Sequence, residues 1–244
     1  MRQSQPRKAN VSPSVQGLDL ATDAPCAMTR AGIECDLHGI CESIRRSARS
    51  RIRLRAGHLL YAQGDRVESV FCVQNGCLKS VTIDADGEQQ VHAFHLPGDL
   101  VGFDGIGASR QPEEAVAVKD SEVSTLPLDS LYDAVGCSSA NSRSLLGRLG
   151  RALAQANARG GEHPVDVRVA AFLIDMRRRI APEAANVSLP MPRRDIASNL
   201  RIVPETLSRS LRRLTAQGLI SANGRRVGFL RPDELAALAG SHSS

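Results

Sequence analysis

The segment from residue 193 to residue 230 constrains the fold more than any other part of the chain. It contains two helix patterns that are joined by only three residues, 201–203. The first helix is predicted over 195–200. The second is predicted over 204–216, because Pro204 at a first helical position sacrifices no hydrogen bond. So short a connection predicts a helix-turn-helix unit.

The second helix of this unit has one apolar and one polar face. Leu207, Leu211 and Leu214 lie at i, i+4 and i+7 and are predicted to face the core. The polar face consists of Glu205, Ser208, Arg209 and Arg212, with Thr206 and Arg213 beside it. After the helix, Asn223-Gly224 is predicted to form a type I′ turn between two short strands, which makes a basic wing.

The positive charge of the chain is concentrated in the same segment. Eight arginines and two acidic residues between 193 and 226 give a net charge of +6, whereas the whole chain carries +5. A run of charge alone is equally typical of a solvated surface. Because the charge coincides with the helix-turn-helix and the wing, we expect it to contact the phosphates of double-stranded DNA.

The polar face of the second helix carries side chains that read bases in the major groove. An arginine at 209 pairs with guanine, a glutamate at 205 accepts from cytosine, and a serine at 208 contacts either base type. Arg212 shares this face, and Thr206, Ser210 and Arg213 are predicted to reach phosphates.

Upstream, residues 51–127 follow a period of two. Their turn glycines, at 57, 64, 76, 87 and 98, are spaced by 7 to 12 residues, which predicts an antiparallel sandwich or barrel of short strands. The period becomes helical from residue 128, and an apolar stripe follows, made of Leu145, Leu146, Leu149 and Leu153. This stripe needs either the β-domain or a second copy of the chain to cover it. A further helix is predicted over 165–180, with Val169, Phe172, Leu173 and Met176 facing inward.

Several classes of protein are excluded by what the sequence lacks. No run of about 18 apolar residues predicts a membrane span, and the polar N-terminus predicts no secretory signal, so a cytoplasmic location is expected. The six cysteines are then expected to be mostly reduced. An aromatic content of 3 % disfavours base stacking on single strands. No catalytic or nucleotide-binding motif is present, so we expect no enzyme.

Two stretches carry a family resemblance. VPETLSR, which follows RRDIASNL, resembles the recognition helix of the CRP/FNR family of bacterial transcription regulators, with the E-x-x-S-R spacing of the FNR branch. Residues 76–107 are similar to the FNR β-roll. The resemblance covers about residues 35–240.

The resemblance implies an α+β fold with an antiparallel β-roll sensor domain, a long dimerisation helix and a C-terminal winged helix-turn-helix domain. The domains expected are a disordered tail (1–25), a cysteine-containing segment (26–50), the β-roll (51–127), the dimerisation helix region (128–160) and the DNA-binding domain (161–240, with the helix-turn-helix at 193–213). A homodimer would bind a palindromic operator of TTGAT type. The leucine stripe would form the dimer seam, and the hairpin at 84–88 would contact RNA polymerase in an activator.

The resemblance also bears on the signal. The stretch that binds the phosphate of cAMP in relatives has Asp99 in place of a glutamate and no Arg-Ser-Ala sequence, which argues against cAMP. FNR proteins hold an oxygen-labile [4Fe–4S] cluster on four cysteines, and its loss weakens the dimer and releases DNA. Cys35 and Cys41 match two of these ligands, but the other two positions hold Gly32 and Ser124.

Three interpretations of the cysteines follow. The first is a rearranged iron–sulfur cluster, in which Cys26 replaces the first missing ligand and Cys72 or Cys77 replaces the last if the fold brings one of them close. A thiol switch or another metal is the second interpretation, since Cys35, His38 and Cys41 have zinc-ligand spacing but leave a site incomplete. The third is a lost sensor whose cysteines are core residues, the interpretation favoured for Cys72, Cys77 and Cys137 taken alone: these are the three outside residues 1–50.

Overall fold

The structure is a computed structural model, and it describes residues 51–159 and 163–240, without the side chains of residues 148 and 151–159. The predicted disordered tail and the cysteine-containing segment therefore lie outside the described residues. So do Cys26, Cys35 and Cys41, and the side chain of Leu153.

Six strands are followed by helices and then by a small second sheet. The strands of the first domain are β1 (Arg51–Leu54), β2 (Leu59–Tyr61), β3 (Ser69–Ile83), β4 (Gln89–His95), β5 (Leu100–Val101) and β6 (Glu114–Pro127). The next elements are α1 (Leu128–Gly136), α2 (Ser139–Arg159) and α3 (Val165–Ile180). The remaining elements are β7 (Asn186–Ser188), α4 (Arg193–Asn199), α5 (Pro204–Ala216), β8 (Ile220–Asn223), β9 (Arg226–Phe229) and α6 (Pro232–Gly240). The predicted α+β class, with a β-roll, a long helix and a winged helix-turn-helix, is confirmed.

The β-roll is a six-stranded antiparallel sheet in the order β1-β6-β3-β4, in which β2 also pairs with β6 and β5 with β3. Its long strands β3 and β6 have 15 and 14 residues. The prediction of short strands is wrong here, because the two apolar runs on either side of Gly76 form one strand. A buried cluster on one side includes Val70, Leu126 and Leu131, so α1 packs on this face of the sheet.

Gly76 lies inside β3 rather than in a turn. Its φ is +102°, and a Cβ placed there would lie 2.1 Å from Oγ of Ser121 on β6. Register shifts surround it, between Val73 and Asn75, between Asn75 and Cys77, and between Cys77 and Leu78. A glycine therefore bulges the strand without ending it, which the spacing of glycines does not reveal.

Helix α2 uses its leucines in two ways. Leu145 packs against the cluster beneath α1, whereas the side chain of Leu146 is 67 % exposed and that of Leu149 is 42 % exposed. The start of α2 is tied to α1 by Asn141, whose Nδ2 donates to the carbonyl of Ala134 at 2.8 Å. Leu145, which was predicted to lie in the dimer seam, thus contacts its own protomer.

The C-terminal domain has the predicted core. Helix α3 has the predicted bounds, and its four inward residues are buried. The wing is a three-stranded sheet in the order β7-β9-β8. Its turn is displaced by one residue from the prediction, because Asn223 pairs with Arg226 and leaves Gly224 and Arg225 as the turn. It is also not the predicted type I′, because Arg225 does not have the positive φ that this type requires. Gly224 has a φ of +58° and takes the first turn position, where only glycine adopts this backbone without strain.

No helix among the described residues has the length and apolar character needed to cross a membrane.

Candidate nucleic-acid interface

A tight turn sets the angle between α4 and α5. Ile196 and Ala197 of α4 are buried, and the carbonyl of Ala197 accepts the N–H of Ile202 at 3.0 Å. Arg201, between the helices, has a φ of +52°, a left-handed conformation that costs a residue with a side chain about 1–2 kcal/mol. The turn is therefore held by the packing of α4 rather than by the preference of its own residues.

Helix α5 presents its polar face outward. Leu207, Leu211 and Leu214 are buried against the domain core, as predicted. On the other face Glu205, Arg209 and Arg212 are exposed, while Thr206 and Ser208 are half-buried. The predicted phosphate contact of Ser210 is wrong, because Ser210 is fully buried against the domain core. The side chains that were predicted to read bases therefore lie on one accessible surface, and the glutamate stands in the first turn of the helix. Carboxylate and guanidinium groups on one face match the donors and acceptors of base edges.

Arg213 differs from the other arginines of α5. Its guanidinium makes two hydrogen bonds with the Asp166 carboxylate of α3, at 2.6 and 2.8 Å. This hydrogen bonding lowers the pKa of Asp166, so the pair is ionised at neutral pH. Arg213 thus links α5 to α3, and the Asp166 carboxylate already neutralises its positive charge. Its contact with a phosphate stays a prediction that this pairing does not favour.

The wing adds positive charge next to α5. Arg225 donates from one guanidinium nitrogen to the carbonyl of Pro190 at 3.1 Å, and Arg193 donates to the carbonyl of Gly224 at 3.4 Å. Arg225 and Arg226 are both exposed. The charge count pointed to this wing, but the residues were not among the predicted DNA contacts, because their turn was placed one residue too early.

The β-roll carries negative charge where a cyclic nucleotide would need positive charge. Between residues 98 and 118 the single basic residue is Arg110, which donates to the carbonyl of Gly64 at 2.7 Å. Burial, and after it the nearby Asp104, raise the pKa of Glu113 to about 7. Two interacting carboxyls repel a phosphate, so the charge of this region disfavours an anionic ligand.

Both cysteines of β3 are buried, but they lie in different clusters: Cys72, 3 % exposed, belongs to the cluster beneath α1. Cys72 lies directly opposite Ser124 of β6, and Ser124 also pairs with Arg51, the first residue of β1. Opposed residues of antiparallel strands project from the same face, with Cβ atoms about 5 Å apart. The thiol of Cys72 is thus next to the position where the FNR pattern has a cluster ligand, close to Arg51 at the start of β1.

Cys77 lies elsewhere, in the core that joins the β-roll to the C-terminal domain. It is fully buried, and burial raises the pKa of its thiol to about 12, which opposes the thiolate that a metal requires. The core position favoured for Cys137 is wrong, because this residue is exposed at the end of α1. Within residues 51–159 and 163–240, no three cysteine, histidine or acidic side chains form a group able to hold a metal ion. The described part of the chain therefore offers one well-placed thiol, Cys72, and any cluster needs the others from residues 26–50.

Comparisons with known proteins agree with this geometry. Residues 51–136 match the family model of the cyclic nucleotide-binding domain, and residues 167–238 match that of the Crp-like helix-turn-helix domain. The fumarate and nitrate reduction regulatory protein of Escherichia coli strain K12 is 33 % identical over 198 residues, covering 77 % of each chain. The transcriptional activator protein anr of Pseudomonas aeruginosa is 35 % identical over 193 residues, covering 77 % of this chain and 79 % of its own.

Solved structures show the same architecture. FixK2 from Bradyrhizobium japonicum superposes with a TM-score of 0.70 at 31 % identity, over 78 % of this chain and 96 % of its own. A transcriptional regulator of the CRP/FNR family from Thermus thermophilus shares the fold with a TM-score of 0.63 at 19 % identity, over 80 % of this chain and all of its own.

Proposed function

This chain belongs to the CRP/FNR family and is a DNA-binding transcription regulator of the FNR type, and we propose that two copies of it bind one palindromic operator of TTGAT type. The observation that carries the proposal is the exposed polar face of α5, beside a basic wing and opposite a buried leucine face. Each protomer would place α5 in the major groove of one half-site.

Within each half-site the residues of α5 take different roles. Arg209 pairs with guanine through O6 and N7, Glu205 accepts from the N4 amino group of cytosine, and Ser208 adds a hydrogen bond. Thr206, Arg212 and the wing arginines contact the backbone and supply affinity without sequence preference.

Replacing Arg209 tests this function. We expect Arg209→Ala to weaken binding to a TTGAT palindrome by about 1–3 kcal/mol and to relax the preference for guanine, measured by fluorescence anisotropy with operator and guanine-substituted duplexes. Arg178→Ala is the matched control, because Arg178 is an exposed arginine of α3 that pairs with Asp175 at 2.9 Å. Equal operator binding by wild type and Arg209→Ala would contradict the assignment.

The dimer would form along α2. Leu146 and Leu149 leave an exposed apolar stripe on this helix, and a second copy of the same helix would cover it. Leu153, four residues after Leu149, continues the stripe in the sequence.

For the signal, we propose a response to oxygen through an iron–sulfur cluster held by Cys26, Cys35, Cys41 and Cys72. A bound [4Fe–4S] cluster supplies oxygen lability to the sensor. Cys72 is preferred to Cys77 because of its position across from Ser124, and because the thiol of Cys77 is held protonated in the core. In this proposal Cys72 on β3 supplies the thiol that the FNR pattern places on β6, at the position of Ser124.

Iron content distinguishes the two cysteines. After anaerobic purification, wild type and Cys77→Ser are expected to hold about four irons per chain, whereas Cys72→Ser loses iron and visible absorbance together. Secondary structure measured by circular dichroism checks that each variant folds. A colourless, iron-free wild type that still binds the palindrome would leave the DNA-reading function intact and redirect the search to a thiol switch or another effector.

We also propose that this regulator is an activator whose β3–β4 hairpin contacts RNA polymerase. Residues 84–88 are exposed at the end of the β-roll. The Asp84 carboxylate accepts the N–H groups of Asp86 and Glu88 at 3.0 and 2.9 Å, so the hairpin is preorganised and acidic.

A further inference from the structure

Strand β4 is the last strand of the β-roll sheet, and α4 covers its outer edge. The hydroxyl of Ser198 accepts the N–H of Val91 at 2.9 Å and donates to the carbonyl of Gln89 at 3.0 Å. Next to it, Nδ2 of Asn199 donates to the carbonyl of His92 at 2.9 Å. Side chains of a helix thus take the place of a neighbouring strand on this edge.

A buried ion pair joins the same two elements. Nζ of Lys79 on β3 lies 2.9 Å from Oδ2 of Asp195 on α4, and each side chain is only 8 % exposed. Lys79 also donates to Oε1 of Gln89 at 3.3 Å. Removing one partner while the domains stay docked would leave the other charge buried with a partner missing, which is strongly destabilising. We refer to the Lys79–Asp195 pair together with the contacts of Ser198 as the interdomain clasp.

Helix α3 makes a second connection to the β-roll. Arg179 donates to the carbonyl of Phe94 at 3.0 Å and contacts the carboxylate of Asp99. The rings of Phe94 and Phe172 meet edge to face, with centroids 6.1 Å apart. The DNA-binding domain is therefore docked on the sheet in one orientation, through both polar and apolar contacts.

Docking leaves the reading surface open. The clasp uses α4, while Glu205, Arg209 and Arg212 of α5 remain exposed. The docked arrangement is therefore compatible with DNA reading and does not block it. Because α4 and α5 are joined by a tight turn, the edge of β4 fixes the direction of α5.

We propose that Lys79, Asp195 and Ser198 are positioning residues that fix the orientation of the DNA-reading helix relative to the β-roll. This inference rests on the proposed dimer, in which the two β-rolls are held together and each must present its α5 at the spacing of the half-sites. A fixed orientation gives the second half-site a high effective concentration, and a loosely attached domain does not.

The test compares a palindrome with a duplex that carries a single half-site. Lys79→Met leaves the buried Asp195 with only the more distant Arg194, at 3.5 Å, and Asp195→Asn removes the carboxylate that pairs with Lys79. We expect each to weaken palindrome binding by about tenfold or more, with half-site binding within about twofold of wild type. Half-site binding also reports that the helix-turn-helix is folded. Lys119→Met is the control, because Lys119 is exposed on β6.

Hydrogen exchange of the Val91 amide measures docking directly. In both clasp variants this amide is expected to exchange at least about tenfold faster than in wild type, since its acceptor is on α4. Unchanged palindrome affinity, unchanged Val91 exchange, or an equal loss of palindrome and half-site binding would each overturn the inference. A wild type that binds the palindrome no better than the half-site would instead contradict the proposed dimer, and Val91 exchange would still show whether the clasp holds the domains.

Discussion

The roles of some side chains can be predicted from the sequence, whereas the roles of others depend on partners that are distant in the chain. The polar residues of α5 were assigned to an exposed face by helical periodicity alone, and the structure places Glu205 and Arg209 there. Arg213 looked equivalent in the sequence. Its partner Asp166 lies 47 residues away, and no local pattern indicates such a pair.

Glu113 gives a prediction about pH at the same scale. Its pKa is about 7 in the folded chain, raised first by burial and then by Asp104, against about 4.5 when unfolded. His92, 3.8 Å away, has a pKa lowered by burial and by Arg201, and Ser80 also faces the carboxyl. Because the folded state binds the proton more tightly, this stabilisation is complete below about pH 4.5 and is lost as the pH rises through 7.

Replacing the carboxyl by an amide removes this dependence. At pH 8 we expect Glu113→Gln to raise the free energy of unfolding by about 1–2 kcal/mol, a value reduced for partial exposure, and the gain shrinks as the pH falls to 5. Urea denaturation at both pH values measures it. Glu68→Gln, at an exposed carboxyl, serves as the control. A gain for Glu113→Gln that is the same at both pH values would refute the linkage.

At the scale of secondary-structure elements, helices were easier to predict than strands. The bounds of α3 and α5 follow from periodicity, from Pro204 and from Gly218. The long strand β3 did not follow, because Gly76 interrupts its apolar pattern as a turn residue does. Strand register is also invisible in one sequence, so the position of Cys72 opposite Ser124 appears only in the folded sheet.

The bulge at Gly76 makes a sharp stability prediction. In Gly76→Ala the added Cβ would meet the backbone of Ser121 at 2.5 Å, in a backbone conformation that alanine rarely adopts, so we expect a loss of about 3 kcal/mol or more. Gly57→Ala is the matched control, because Gly57 also has a positive φ but has nothing within 4 Å of the added carbon. There the loss is expected to be about 1 kcal/mol. Thermal unfolding followed by circular dichroism compares the two, and equal losses would show that crowding at Ser121 is unimportant.

At the scale of the whole molecule, the exposed apolar face of α2 needs another surface to cover it. The sequence predicted a leucine seam but did not show which leucines the β-roll would use, since that depends on how α1 and α2 pack on the sheet. The structure assigns Leu145 to the protomer and leaves Leu146 and Leu149 exposed.

A double substitution, Leu146→Asp with Leu149→Asp, tests the proposed dimer. Two carboxylates in an apolar seam would be buried without partners, so we expect a monomer with unchanged secondary structure and at least tenfold weaker palindrome binding. Light scattering coupled to size exclusion measures the mass. Leu59→Asp, at an exposed leucine of β2, is expected to leave the mass of the dimer unchanged. A double variant that stays dimeric would place the seam elsewhere.

The apolar cluster that runs from the β-roll into the C-terminal domain limits how far the halves of this molecule can be exchanged during evolution. Cys77, Val81 and Phe94 share it with Phe172 and Ile196, so a crossover between the domains would bring together two core surfaces that do not match. A chimera that takes residues 163–240 from a relative is expected to need that relative's β4 and the residue at 79 as well. The residues of the junction are then inherited together, so α5 and the sheet of the β-roll are expected to change together.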